Sequence, residues 1–300
     1  MPADRAPLRP RPLDAKALAR WPLPDHGNEA DKESRGRVLV IAGSEEVPGA
    51  ALLAAVAALR AGAGKLTVAA PRGIALGLAF AIPEARVIPM AESVGGALQA
   101  RGVARLESLA DAVDAVVIGP GMLDEKRSMA FLRAALPMFS SSTVVLDAIA
   151  MSVVRHGAFA QPVILTPHAG EMAHLLGRSK DEVCADPAAT ALEAASRWNA
   201  CVAFKGASTF IATPDGEVWC FEGGSVGLAT SGSGDTLAGI IGGLAARGMA
   251  PLPACARGVA LHAQAGRSLA RRHGPLGYLA RELSGELPAL IQAASARPSR

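Results

Sequence analysis

Aromatic side chains are scarce in this 300-residue chain, 4% in all with a single tyrosine, and charged residues make up only 19%. So few rings exclude stacked platforms for nucleic-acid bases. The net charge of +3 leaves no basic footprint for a polyanion, and +2 of it falls within the first 37 residues, which carry eight Lys or Arg against six Asp or Glu. Nucleic acid is therefore not an expected partner. Cysteine is limited to Cys184, Cys201, Cys220 and Cys255, with no C-x-x-C pair. A chain of this length needs no covalent staples, so reduced structural thiols are expected, and a metal-cysteine site is not. Long apolar runs are also missing. Ala50 to Leu59 and Leu237 to Ala246 each stop at an arginine, well short of the roughly 18 residues that cross a bilayer. Met1 to Pro12 interleaves Arg with Pro and Asp and resembles neither a secretory signal nor a transit peptide. A soluble, cytoplasmic location is the expectation.

Half of the chain is apolar, with Ala and Gly abundant, which suits close packing of helices on a sheet. Residues Met1 to Arg35 form a Pro-rich leader whose six prolines argue against regular structure. An arm reaching a neighbouring subunit is the alternative. Beyond it, Arg37 to Ala42 (RVLVIA) reads as a strand buried on both faces, Ala50 to Ala61 as a helix ended by Gly62 and Gly64, and Lys65 to Ala69 as a second strand. Further strands are predicted at 85–89, 115–118, 144–146, 163–165 and 202–204, alternating with helices at about 96–110, 125–136, 169–176 and 187–198. This is the pattern of a mostly parallel sheet covered by helices. Pro214-Asp215-Gly216 marks a hairpin between 209–212 and 217–221, giving the sheet an antiparallel edge. Helices fill the last third at 235–246, about 252–271 and about 278–293. In such a sheet the ligand lies beyond the carboxyl ends of the strands.

Five loops there carry candidate chemistry. In GGSVGLATSGSGDTLAG (223–239), Gly232, Ser233, Gly234 and Asp235 open an apolar helix. Successive backbone N–H groups and the helix dipole would form an anion cradle. The alternative is a tight loop with a capped helix start. A carboxylate at that helix end repels a phosphate unless it handles a substrate hydroxyl or a metal ion. Asp235 is thus the candidate proton acceptor in a phosphoryl transfer. Neither G-x-x-x-x-G-K-[ST] nor a G-x-G-x-x-G after the first strand is present. Thr166-Pro167-His168-Ala169-Gly170-Glu171 forms a strand-to-helix turn presenting His168 as a hydrogen-bond donor and Glu171 toward a magnesium-bound water, unless Glu171 only serves the first helical turn. His168, Glu171 and His174 lack the spacing of a zinc helix. Lys205-Gly206-Ala207-Ser208-Thr209 suits a nucleotide contact, or simply ends a strand. Gly119-Pro120-Gly121 and the pair Gly43-Ser44 with Pro48-Gly49-Ala50 complete the set.

Taken in order, Gly36 to Pro71, Gly119 to Gly121, Leu146-Asp147-Ala148, Thr166 to Glu171, Lys205 to Thr209 and Gly227 to Gly239 resemble the ADP-dependent (S)-NAD(P)H-hydrate dehydratases of the ribokinase superfamily. The likeness runs over roughly residues 36 to 292. It implies a ribokinase-like three-layer α/β/α sandwich as a single domain over 36–300, and repair of a damaged cofactor. The hydroxyl of hydrated NADH or NADPH is phosphorylated from ADP, with ATP as the alternative donor. Loss of phosphate then restores the cofactor, with AMP and phosphate as by-products. Carried over by motif, Ala50, Gly121, His168 and Asp235 would contact the hydrate. Lys205, Gly206, Ala207, Ser208, Thr209 and Gly234 would hold the adenine nucleotide, Gly232 to Gly234 would form the anion hole, and Glu171 would order Mg2+ through water. The resemblance further implies a homo-oligomer, with a tetramer the form to test. The short leader has no room for the epimerase domain fused to many relatives, so a separate NAD(P)H-hydrate epimerase is expected in the same pathway. The sequence departs from the family pattern at Ile149 (often Asp), Ser225 (often Asn), Ser231 (often Gly) and Val47 (often aromatic). Another small-molecule kinase of the superfamily, or a catalytically weak nucleotide-binding protein, are the rival readings.

Overall fold

In strand β2 (Arg37–Ile41) the side chains alternate between two separate cores. Val38 and Val40 join one apolar cluster and Leu39 and Ile41 the other, all at most 1% exposed. A strand hidden on both faces must lie mid-sheet with helices above and below. The computed structural model, which describes residues 9–25, 27 and 31–295, shows that arrangement. The strands are β1 (Arg11–Pro12), β2, β3 (Lys65–Pro71), β4 (Arg86–Met90), β5 (Ala115–Ile118), β6 (Thr143–Leu146), β7 (Val163–Leu165), β8 (Cys201–Phe204), β9 (Ser208–Ala212) and β10 (Val218–Glu222). They form one sheet in the order β1-β10-β9-β8-β7-β6-β5-β2-β3-β4. Only β9 runs against its neighbours.

The helices are α1 (Ala15–Ala19), α2 (Pro48–Arg60), α3 (Arg72–Ala81), α4 (Glu125–Ala135), α5 (Ala169–Leu176), α6 (Lys180–Ala185), α7 (Pro187–Trp198), α8 (Ser233–Ala246), α9 (Pro251–His273) and α10 (Ala280–Ser295). One layer holds α2, α8 and α9 and the other α4, α5 and α7. Helix α8 lies deepest, because its glycines admit neighbours that no larger residue would. A Cβ at Gly239 would stand 2.1 Å from the Ala54 carbonyl oxygen, and one at Gly243 2.4 Å from that of Ala58, so α2 and α8 touch backbone to backbone. The abundance of Ala and Gly thereby fixes where the N-terminus of α8 emerges.

Several expectations need correction. The leader is not irregular throughout. Leu13, Ala17, Leu18 and Leu23 belong to the main core, and Leu13 N–H donates to the Cys220 carbonyl. Two arginine donors, Arg257 Nε and Nη2, hold the carbonyls of Trp21 and Leu18, each at 2.8 Å. Pro12 sits at the end of a two-residue edge strand, where a missing N–H costs least. Met1 to Leu8 lie outside the described residues. The hairpin β9–β10 is present, but β1 pairs parallel to β10 and takes the outermost place. Residues Ala100–Leu109 form a 3-10 segment rather than the predicted α-helix. Helix α3 was not anticipated, since two glycines and a Pro71 N-cap blur its pattern and Leu76 and Phe80 remain exposed. Helix α6 was readable from the Ser179–Glu182 capping box.

Candidate active site

The five candidate loops converge at one end of the sheet, around the start of α8. Gly232 caps that helix at φ 86°, a left-handed conformation that glycine adopts without strain. No side chain caps the helix at Gly232. The Ser233 N–H donates to the Thr230 carbonyl at 3.2 Å, so of the expected anion-hole groups those of Gly232 and Gly234 face an anion at this helix start. Asp235 lies in this first turn, and among the described residues no hydrogen bond holds its carboxylate. Its pKa is pushed up to about 6, first by burial and then by the negative charge of Asp147, with Lys205 opposing and Glu171 adding to the rise.

Asp147 follows β6 and is 5% exposed in its side chain. Its Oδ1 accepts from Thr166 Oγ1 at 2.6 Å and from Lys205 Nζ at 3.4 Å. The ammonium is thereby drawn toward Gly234, whose absent Cβ would stand 3.4 Å from Nζ. Three acids, Asp147, Glu171 and Asp235, thus act electrostatically on one lysine. Glu171 is also raised above the ordinary carboxylate range, mainly by burial. Oxygen donors in surplus over cations suit Mg2+, which typically takes one or two carboxylates together with substrate phosphates and water. Among the described residues no cluster of three or more forms a ready cage.

His168 is the N-cap of α5. Its Nδ1 accepts from the Gly170 and Glu171 N–H groups, and the Glu171 carboxylate accepts from the His168 N–H at 2.8 Å. The expected donor role of His168 is thus confined to Nε2 in the neutral ring. The capping alternative for Glu171 is realised, alongside its place in the acid cluster. A cavity of 790 Å³ opens beside the start of α8, walled by Lys205, Gly206, Ala207, Thr209, Ser233 and Gly234 with His168 at its rim. Ser208 does not line it; it begins β9 opposite Glu222. A smaller cavity of 250 Å³ on the other side of His168 is bounded by Glu171, His174 and Ile149.

Ala50 and Gly121 meet away from that large cavity. A Cβ on Gly121 would reach 2.7 Å from that of Ala50, so the loops after β2 and β5 are stacked. One turn along α2, Leu53 packs against Gly232, which links the Ala50 side to Asp235. The residues that sequence reasoning left without a role are Asp147, Thr166 and His262. Asp147 and Thr166 stand at strand ends inside the quoted motifs. His262, mid-helix, carried no local signal.

A family model described as NAD(P)H-hydrate dehydratase matches residues 38–289. The chain belongs to the NAD(P)H-hydrate dehydratase family. It is 48% identical over 283 residues to an ADP-dependent (S)-NAD(P)H-hydrate dehydratase of Xanthomonas campestris, covering 94% of this chain and 96% of that one. A bifunctional NAD(P)H-hydrate repair enzyme of Moorella thermoacetica is 39% identical, and there the chain spans 54% of the relative's length. Among solved structures, the ADP/ATP-dependent NAD(P)H-hydrate dehydratase of Bacillus subtilis, co-crystallised with ATP and Mg2+, superposes with a TM-score of 0.81 at 30% identity, covering 96% of this chain and all of that one.

Within this dehydratase family the ribokinase-like fold is shared. Of the four departures, Ile149 is half-buried against the core at the small cavity. Ser225 accepts a hydrogen bond from the Tyr278 hydroxyl at 3.3 Å on the wall of the large cavity, Ser231 is exposed, and Val47 is 40% exposed at the N-cap of α2. No helix among the described residues is long and apolar enough to cross a membrane.

Proposed function

We propose that the chain dehydrates (S)-NAD(P)H hydrate at the expense of ADP. The observation that carries this is the Asp235 carboxylate, free of hydrogen bonds among the described residues at the N-terminus of α8, beside Lys205 and a cavity of nucleotide size. In the first step the ring hydroxyl of the hydrate attacks the terminal phosphoryl group of ADP, the bond to the AMP oxygen breaks, and the hydroxyl proton passes to Asp235. An acid whose pKa is about 6 is ionised at neutral pH yet is a stronger base than a solvated aspartate, as a proton acceptor needs to be. The N–H groups of Gly232 and Gly234 and the dipole of α8 stabilise the charge on the migrating group. Lys205, tethered by Asp147, supplies positive charge at the same place. In the second step the ring nitrogen lone pair expels phosphate and a proton leaves the adjacent carbon, which restores the reduced nicotinamide. Mg2+, held through Glu171 and the nucleotide phosphates, would neutralise phosphate charge when bound.

Ala50, Gly121 and the Nε2 of His168 are the proposed hydrate contacts. Lys205 to Thr209 with Gly234 take the nucleotide, the contribution of Ser208 then coming from its backbone in β9. A homo-oligomer and an epimerase activity that supplies the S form complete the proposal. The test is incubation with hydrated NADH, ADP and Mg2+. AMP, phosphate and reduced nicotinamide should appear in equal amounts. A stable phosphate ester would instead indicate a small-molecule kinase, and nucleotide binding without turnover a silent pocket.

A further inference from the structure

His262 lies mid-way along α9, 9% exposed, on the wall of the large cavity. Its Nε2 stands 3.0 Å from Ser233 Oγ. Burial, and then the nearby Lys205 ammonium, lower its pKa to about 4, so the ring is neutral, while a backbone contribution from Ser233 opposes the shift. A neutral imidazole and a hydroxyl can share their proton in two ways. If Ser233 donates to Nε2, its hydroxyl presents only lone pairs to the start of α8 and repels a phosphate. If Nε2–H donates to Ser233 Oγ, the serine proton is free for the anion, and the two bonds polarise one another in the same direction. Ser233 is 5% exposed and is the first residue of α8, so its hydroxyl has little other choice of partner.

We propose that His262 is a positioning residue for phosphoryl transfer, donating Nε2–H to Ser233 Oγ so that the Ser233 hydroxyl becomes a further donor of the anion site. This rests on the reading of the α8 N-terminus as the phosphoryl site. The experiment is a double-mutant cycle in the full chain, His262→Leu and Ser233→Ala singly and together, read as kcat and KM for ADP, with thermal unfolding in parallel. Each single variant should lose about 10- to 100-fold in kcat with a smaller change in KM. The double variant should be no worse than the poorer single one. His262→Gln, which keeps an N–H donor, should recover most of the loss, and that recovery should vanish in the presence of Ser233→Ala. Multiplicative losses in the double variant, or unchanged kcat in His262→Leu, would overturn the proposal. If His262→Leu does not fold, His262→Gln decides alone: its effect must depend on Ser233, and independence overturns the proposal. Absence of ADP-dependent turnover in the wild-type chain would refute the functional reading itself, a result distinct from these.

Discussion

Replacing Asp235 by asparagine should stabilise the free protein at neutral and alkaline pH while disabling it. In the folded chain the acid holds its proton up to about pH 6, against 3.8 for the ordinary group. The folded state therefore binds that proton more tightly than the unfolded state. As pH rises from about 4 through 6, stability is lost, and the loss is complete above 6. Its size is about 3 kcal/mol, from about 1.4 kcal/mol per pH unit of difference. A favourable effect opposes it, because an acid in the first turn of a helix gains about 0.3–1 kcal/mol from the dipole. Burial next to Asp147 is the larger influence. Asparagine avoids the charge but must bury an amide, which costs about 1–2 kcal/mol of the gain when unpaired. After both offsets a net increase of up to about 2 kcal/mol remains at pH 8, fading toward pH 4, where the wild-type group is protonated. Urea denaturation at both pH values measures it. A variant that unfolds more readily at pH 8 would refute the reasoning and make Asp235 a structural first-turn acid.

Turnover of the wild-type enzyme should rise with pH through about 6 as Asp235 ionises. Lys205→Met should move that midpoint upward, since Lys205 lowers the pKa of Asp235; a pH–rate profile that does not move would deny the coupling. Gly234→Ala places its Cβ 3.4 Å from Lys205 Nζ and 4.0 Å from Asp147 Oδ2, so the melting temperature should hold while kcat/KM falls about 100-fold through a methyl group at the anion site. Gly232→Ala, at φ 86° and 2.4 Å from Leu53 Cδ1, should instead cost about 1–3 kcal/mol of stability. Arg257→Leu strips two donors from the leader carbonyls, and should destabilise by about 1–3 kcal/mol and expose the leader to limited proteolysis.

The sheet was legible because β2, β5, β6 and β8 are short continuous apolar runs between glycines and turns, a pattern that only doubly covered strands require. The site loops were legible as strand ends. What escaped was set by packing. Leu13 and Leu18 sit among prolines, and only the distant Arg257 donors show why the leader folds back. Helix α3 exposes Leu76 and Phe80, so no amphipathic period marks it. Asp147 stands in a motif that carries the family resemblance but has no role assigned by it, and that role emerges from Thr166 and Lys205, 19 and 58 residues away. His262 is an isolated histidine until α9 lies across the start of α8. Long-range side-chain partners leave no period and no motif in a single sequence.

The division of labour at α8, with Asp235 handling the acceptor hydroxyl and the amides of Gly232 and Gly234 holding the migrating group, is tested most directly by comparing catalysis with nucleotide affinity in Asp235→Asn. Restoration of reduced-nicotinamide absorbance from the hydrate with ADP should slow by about 10²- to 10⁴-fold, while the Kd for AMP, measured calorimetrically, changes by less than about threefold. Turnover retained within about tenfold of wild type would contradict the account.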